Sequence, residues 1–145
     1  MKTRVSIGKT DPEAYKILVN LDQYIVKSNV TKTHHELIKI RASQINGCAF
    51  CIDMHTKDAR KAGETEQRIY ALNAWRETPF FTEEERAILA LTEEVTLIQH
   101  HVSDATYEAA AKALDEAYIA QVILAIIAIN AWNRFAISTG MQPGL

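Results

Sequence analysis

The chain has 145 residues, 48% of them hydrophobic and 23% charged, with a formal net charge of −2. That length fits one domain over residues 1–145, and the apolar share can build a core, which excludes a disordered chain. The near-neutral balance and scattered basic residues give no footprint for nucleic acid.

Helical periodicity runs nearly throughout, so the expected fold class is all-α. Asp11-Pro12-Glu13 opens a helix carrying Ile17, Leu18, Leu21 and Ile25: a capping side chain, proline at the first helical position, then an acid. Thr33-His34-His35-Glu36 reads as a capping box opening a second helix with Leu37, Ile38, Ile40 and Ile45. Asn46-Gly47 interrupts it. A third helix runs from near Cys48 to Gly63, with Asn46 expected to cap it. Thr65 caps a short helix reaching about Trp75, and Thr82-Glu83-Glu84-Glu85 forms another capping box after Pro79. Ser103-Asp104 starts an alanine-rich helix. The last helix spans about Tyr118 to Thr139 and stops at Gly140. It is apolar almost all round, which predicts burial on every side, partly against another subunit.

The longest apolar run, Ile119 to Trp132, is shorter than the ~20 residues of a spanning helix. The N-terminus, Met1 to Ser6, has no apolar leader core. Both point to a cytoplasmic protein without a membrane partner. In such a reducing compartment, the two cysteines suit metal or redox chemistry better than a structural staple.

Those cysteines carry the chemistry. In a helix, Cys48, Cys51 and His55 fall at i, i+3 and i+7 on one face. Helical Cα atoms three apart lie ~5 Å from each other, within reach of a disulfide. The helix N-terminus favours a thiolate at Cys48, and His55 suits a proton acceptor. Zinc is the rival for two sulfurs and an imidazole, with His34-His35 or His100-His101 as further donors. A structural zinc site wants a second cysteine pair, which the chain lacks. The expectation is therefore no metal and no cofactor. His34 and His35 are expected at the surface of a first turn. Arg41 is expected at the surface, with an ion pair open to it, and Arg134 in the apolar last helix needs a partner.

The stretch from Glu36 through Arg41-Ala42-Ser43-Gln44-Ile45-Asn46-Gly47-Cys48-Ala49-Phe50-Cys51 to His55 resembles the core of alkylhydroperoxidase D (AhpD)-like proteins, in the carboxymuconolactone decarboxylase superfamily. The resemblance extends to Asn130-Ala131-Trp132-Asn133-Arg134 and covers about residues 12 to 140. It implies an all-helical fold assembled as homo-oligomers, trimers or hexamers. It also implies a thiol-dependent peroxidase: Cys51 attacks the peroxide, Cys48 resolves the sulfenic acid, and Glu36 with His55 relays the proton. The implied reductant is a dithiol, such as a lipoyl group on a partner protein. The best-known members carry a histidine directly before the attacking cysteine; here that position is Phe50, which holds no proton. Two other functions remain beside this one. They are a decarboxylase like the superfamily's namesake, which does not depend on a cysteine pair, and a non-enzymatic redox-sensing or assembly module.

Overall fold

In the computed structural model, residues 4–144 are described; the reading of the N-terminus as leaderless falls partly on residues 1–3, outside them. Among the described residues, eight α-helices follow one another: α1 Ile7–Thr10, α2 Pro12–Val26, α3 Lys32–Asn46, α4 Ala49–Lys61, α5 Glu66–Tyr70, α6 Glu83–Thr96, α7 Asp104–Ala113 and α8 Glu116–Thr139. Two 3-10 turns, Leu72–Glu77 and Ile98–His100, sit between α5 and α6 and between α6 and α7. No strand occurs among the described residues. The all-α architecture is as expected.

Side chains start most of these helices, by accepting from backbone N–H groups that have no intrahelical partner. Asp11 accepts from Ala14 N at 3.0 Å. Thr82 and Glu85 close a reciprocal box: Thr82 N donates to Glu85 Oε2 at 2.8 Å, and Glu85 N to Thr82 Oγ1 at 3.2 Å. Ser103 caps α7 and Asp115 caps α8, so α8 begins at Glu116, two residues before the expected start. The cap of α3 also differs. Thr31, not Thr33, accepts from His34 N at 3.2 Å. The helix thus begins two residues early and Glu36 is carried past the capping position into the interior.

Helix α3 packs against α4, α6 and α8 and is the central post of the molecule. Ile38, Ile88, Leu91, Val122, Ile126 and Ile129 form one core with α6 and α8. Leu37, Ile40, Leu72, Trp75, Phe81 and Leu89 form a second. Burying each such aliphatic side chain is worth roughly 1.5–3 kcal/mol. By length and composition α8 could cross a membrane. Here its Val122, Ile126 and Ile129 lie in the core, while Ile127 and Ile137 are 50% and 43% exposed. Burial on every side is therefore not met within one chain, because neighbouring helices cover only part of its circumference.

At the end of α3 the chain turns through Gly47, whose φ of +68° lies in the left-handed region. An added Cβ would meet nothing within 4 Å, so the demand there is conformational rather than spatial. Asn46 does not cap the next helix. Its Nδ2 donates to Asn130 Oδ1 and Asn133 Oδ1, both at 2.9 Å, and Asn133 Nδ2 donates to the buried Ser43 Oγ at 2.9 Å. These bonds pin the α3–α4 corner to α8.

Candidate active site

Cys48 is the cap of α4: its Sγ accepts from Cys51 N at 3.3 Å. The sulfurs of Cys48 and Cys51 are joined in a disulfide whose Cα atoms are 5.3 Å apart. Both residues are buried, packed with Ala136 of α8. The bond therefore sits at a helix N-terminus, where unpaired N–H groups favour the anion released on reduction. It also takes up both sulfurs that a soft-metal site would need. Among the described residues, no group of three or more His, Cys, Asp and Glu side chains is arranged to hold a metal.

One turn beyond Cys51, His55 is 6% exposed and faces Glu36 of α3, itself 3% exposed. His55 Nδ1 lies 3.4 Å from Glu36 Oε2, long for a hydrogen bond. The other oxygen of Glu36 faces two ammonium groups: Lys32 Nζ at 3.3 Å and the buried Lys39 Nζ at 4.0 Å. Lys39 Nζ also lies 3.9 Å from Asp22 Oδ1 of α2. Burial alone would raise the Glu36 carboxyl. The adjacent His55 imidazole and the charges of Lys39 and Lys32 outweigh it and bring the group down to about 2. Glu36 is thus a buried anion at neutral pH. The structure brings Glu36, Cys48, Cys51 and His55 into one neighbourhood.

A cavity of about 370 Å³ opens beside the disulfide. Cys51 and His55 line it, as do Asp22 and an aromatic wall of Tyr15, Trp132 and Phe135. The ring centroids of Tyr15 and Trp132, and of Trp132 and Phe135, are 5.6 Å apart in edge-to-face contacts. Cys48 does not border the space. Phe50 does, so the position before Cys51 supplies apolar surface.

Residues 12–94 match the profile of the carboxymuconolactone decarboxylase family. The chain belongs to that family. Among its relatives, the uncharacterized protein YdfG of Bacillus subtilis (strain 168) is 50% identical over 141 residues, 97% of this chain and 96% of YdfG. A solved Agrobacterium tumefaciens protein of unknown function, whose name links it to AhpD antioxidant defence, is 41% identical with a TM-score of 0.97, covering 99% of both chains. An AhpD-core, peroxidase-related protein from Ralstonia eutropha JMP134 is 18% identical with a TM-score of 0.83 over 94% of this chain and 74% of its own, a likeness of fold.

Sequence reasoning missed several features around this candidate site. His34 and His35 are buried rather than exposed. His34 Nδ1 and the Tyr118 hydroxyl share a hydrogen bond at 2.7 Å, which ties α3 to α8. Burial first, then the Lys39 charge, push the His35 imidazole down to about 4. Asp22, Lys39 and the aromatic wall were not anticipated either. Helical spacing puts His35 and Lys39 at i, i+4 on a face shared with Lys32, Glu36 and Ser43, which reads in the sequence as a solvated face. Arg134 finds its partner within α8, donating to Asn130 Oδ1 at 3.0 Å.

Proposed function

We propose that this chain is a thiol-dependent peroxidase that reduces organic hydroperoxides or hydrogen peroxide through Cys48 and Cys51. The observation carrying the reading is a reducible disulfide at a helix N-terminus, with Cys51 on the wall of an apolar cavity and the His55–Glu36 pair behind it.

In the reduced protein, His55 takes the Cys51 thiol proton and Glu36 balances the resulting imidazolium. The thiolate attacks the distal peroxide oxygen. An S–O bond forms, the O–O bond breaks, and the departing alkoxide takes the proton held at His55, giving an alcohol and a sulfenic acid. Cys48 then attacks the Cys51 sulfur. The S–S bond forms, the S–O bond breaks, and hydroxide leaves as water with the Cys48 proton. A dithiol of the lipoyl type returns two electrons and two protons by exchange with the disulfide. A cytoplasmic setting goes with this cycle. The half-exposed Ile98, Ile127 and Ile137 support assembly into a homo-oligomer, a trimer or hexamer.

A decarboxylase reading has less support. A carboxylate substrate wants a cationic partner, and among the described residues the cavity is lined by Asp22 but by no lysine or arginine. The deciding experiment is steady-state consumption of cumene hydroperoxide with dihydrolipoamide, comparing wild type with Cys51→Ser and Cys48→Ser. Turnover that depends on both cysteines is expected. If Cys51→Ser keeps full consumption, the reading fails. One oxidation per chain without recycling would instead favour a redox sensor.

A further inference from the structure

Among the described residues, three buried side-chain polar atoms lack a hydrogen-bond partner: His35 Nε2, Glu36 Oε2 and His55 Nδ1. They are not scattered. His35 precedes Glu36 in the chain, and Glu36 Oε2 faces His55 Nδ1. Two imidazoles thus stand in the field of one carboxylate. An unpaired buried polar atom costs ~1–3 kcal/mol, so a purely structural residue at position 35 would be better apolar. The competition between the imidazoles is real because Glu36 can stabilise only one full imidazolium well. Whichever ring is cationic draws the carboxylate toward itself.

Burial does most to keep His35 neutral, and the charges around it add to or oppose that effect. On α2, Asp22 favours protonation of His35, as does Glu36 on α3; Lys39 on α3 and His55 on α4 oppose it. Lys39 is the fixed cation among them. It is buried on α3 one turn beyond His35, and its ammonium lies between Asp22 Oδ1 at 3.9 Å and Glu36 Oε1 at 4.0 Å. We propose that Lys39 is a positioning residue of the thiol site: placed between Asp22 and Glu36, it withholds Glu36 from His35 and leaves the carboxylate to His55. This rests on the peroxidase reading only in what His55 then does. The selection of one imidazole over the other is a property of the resting protein.

Asp22 gives the arrangement a second consequence. It lines the cavity, as His55 does, so the row Asp22–Lys39–Glu36–His55 begins and ends on the same space. Lys32 also reaches Glu36, but its side chain is 65% exposed and solvent screens its charge; counting Asp22 and Glu36 as negative and Lys39 as positive, the buried row itself carries one net negative charge when His55 is neutral. It is balanced when His55 holds a proton. The row therefore accommodates the proton that leaves Cys51, provided that His35 has not already supplied a cation.

The test uses the full-length protein, reduced, with Lys39→Met, Lys39→Arg, His35→Leu and the Lys39→Met/His35→Leu double variant. Ring titrations by NMR read His35 without any turnover, so they stand or fall separately from peroxidase activity. In Lys39→Met the His35 midpoint is expected to rise by about 1.5 units, and the rate of Cys51 alkylation relative to wild type to fall about fourfold from pH 7.5 to pH 5. Lys39→Arg restores the midpoint. The double variant regains the wild-type pH profile, because the competing imidazole is gone. His35→Leu alone keeps that profile with no loss of thermal stability. An unmoved His35 midpoint in folded Lys39→Met overturns the proposal. So does a rate loss equal at every pH and unrelieved by His35→Leu, or a Lys39→Arg protein that behaves like Lys39→Met.

Discussion

Glu36 and Glu93 are carboxylates withdrawn from solvent on neighbouring helices, and the molecule treats them in opposite ways. Glu93 on α6 is saturated. Its Oε1 accepts from Arg41 Nε at 2.8 Å and from Trp75 Nε1 at 2.9 Å, and its Oε2 pairs with Arg76. Arg76 also stacks on the Trp75 ring, 4.1 Å from its centroid. Burial pulls Glu93 upward, but these donors hold it below the usual carboxylate range. Glu36 is held low as well, yet by contacts of 3.3 to 4.0 Å and with Oε2 unpartnered. The first arrangement fastens α3 and α6 together. The second leaves a carboxylate free to respond when a proton arrives next to it. In the proposed cycle, full satisfaction marks the structural carboxylate and incomplete satisfaction the working one.

The largest expected effect tests whether the working side works. Cys51→Ser should lower peroxide consumption on the order of 10³-fold or more while the melting temperature stays close to that of the reduced wild type. Next comes the paired exchange of the two acids. Glu36→Gln should slow oxidation of the reduced protein about 10²-fold, in the range of a lost acid–base partner. It should cost about as much stability as the wild type loses between pH ~4.3 and about 2, because the neutral amide lacks the same charge. Glu93→Gln should cost ~2 kcal/mol in urea unfolding with less than about a twofold change in rate. Equal losses of rate in both variants would erase the distinction.

Acid unfolding offers a third, smaller test. A depressed carboxylate stabilises the fold above its unfolded value and loses that contribution as pH falls through its folded value. For Glu36 the window runs from ~4.3 down to about 2. His35, also depressed, is neutral in the fold and takes a proton more readily when unfolded. It therefore destabilises progressively from ~6.5 down to about 4. His35→Leu should flatten the stability profile between pH 6.5 and 4, by about 2 kcal/mol, and leave the lower window in place. The smallest effect belongs to the corner that ends the helix of Glu36. Gly47→Ala should cost ~1 kcal/mol, since an L-residue resists the positive φ, although space is open around it.

The same contrast explains what could be read from the chain beforehand. Cys51 and His55 share a face by helical spacing alone, with Cys48 just outside the helix as its cap, and Asp11-Pro12 and the Thr82 box act through residues three or four apart. Such local rules need no tertiary knowledge. Thr31 and Thr33 are chemically equivalent as caps. The choice between them is made by where α3 meets α8, shown by Thr31 N donating to the Tyr118 hydroxyl at 3.0 Å. The burial of His34 and His35 has the same origin, because a helix buried on several sides encloses polar residues that its sequence alone would assign to water. Asn46 looked like a cap because it precedes a helix. It turns toward Asn130 and Asn133, more than eighty positions along the chain.

The proposed reacting groups all fall within residues 36–55, on the α3–α4 corner. The aromatic wall around them comes from Tyr15 on α2 and from Trp132 and Phe135 on α8. Descent can therefore act on the two separately. Exchanges at positions 15, 132 and 135 can reshape the chamber without altering any residue of the corner. A single inherited corner is in this way open to many tenants.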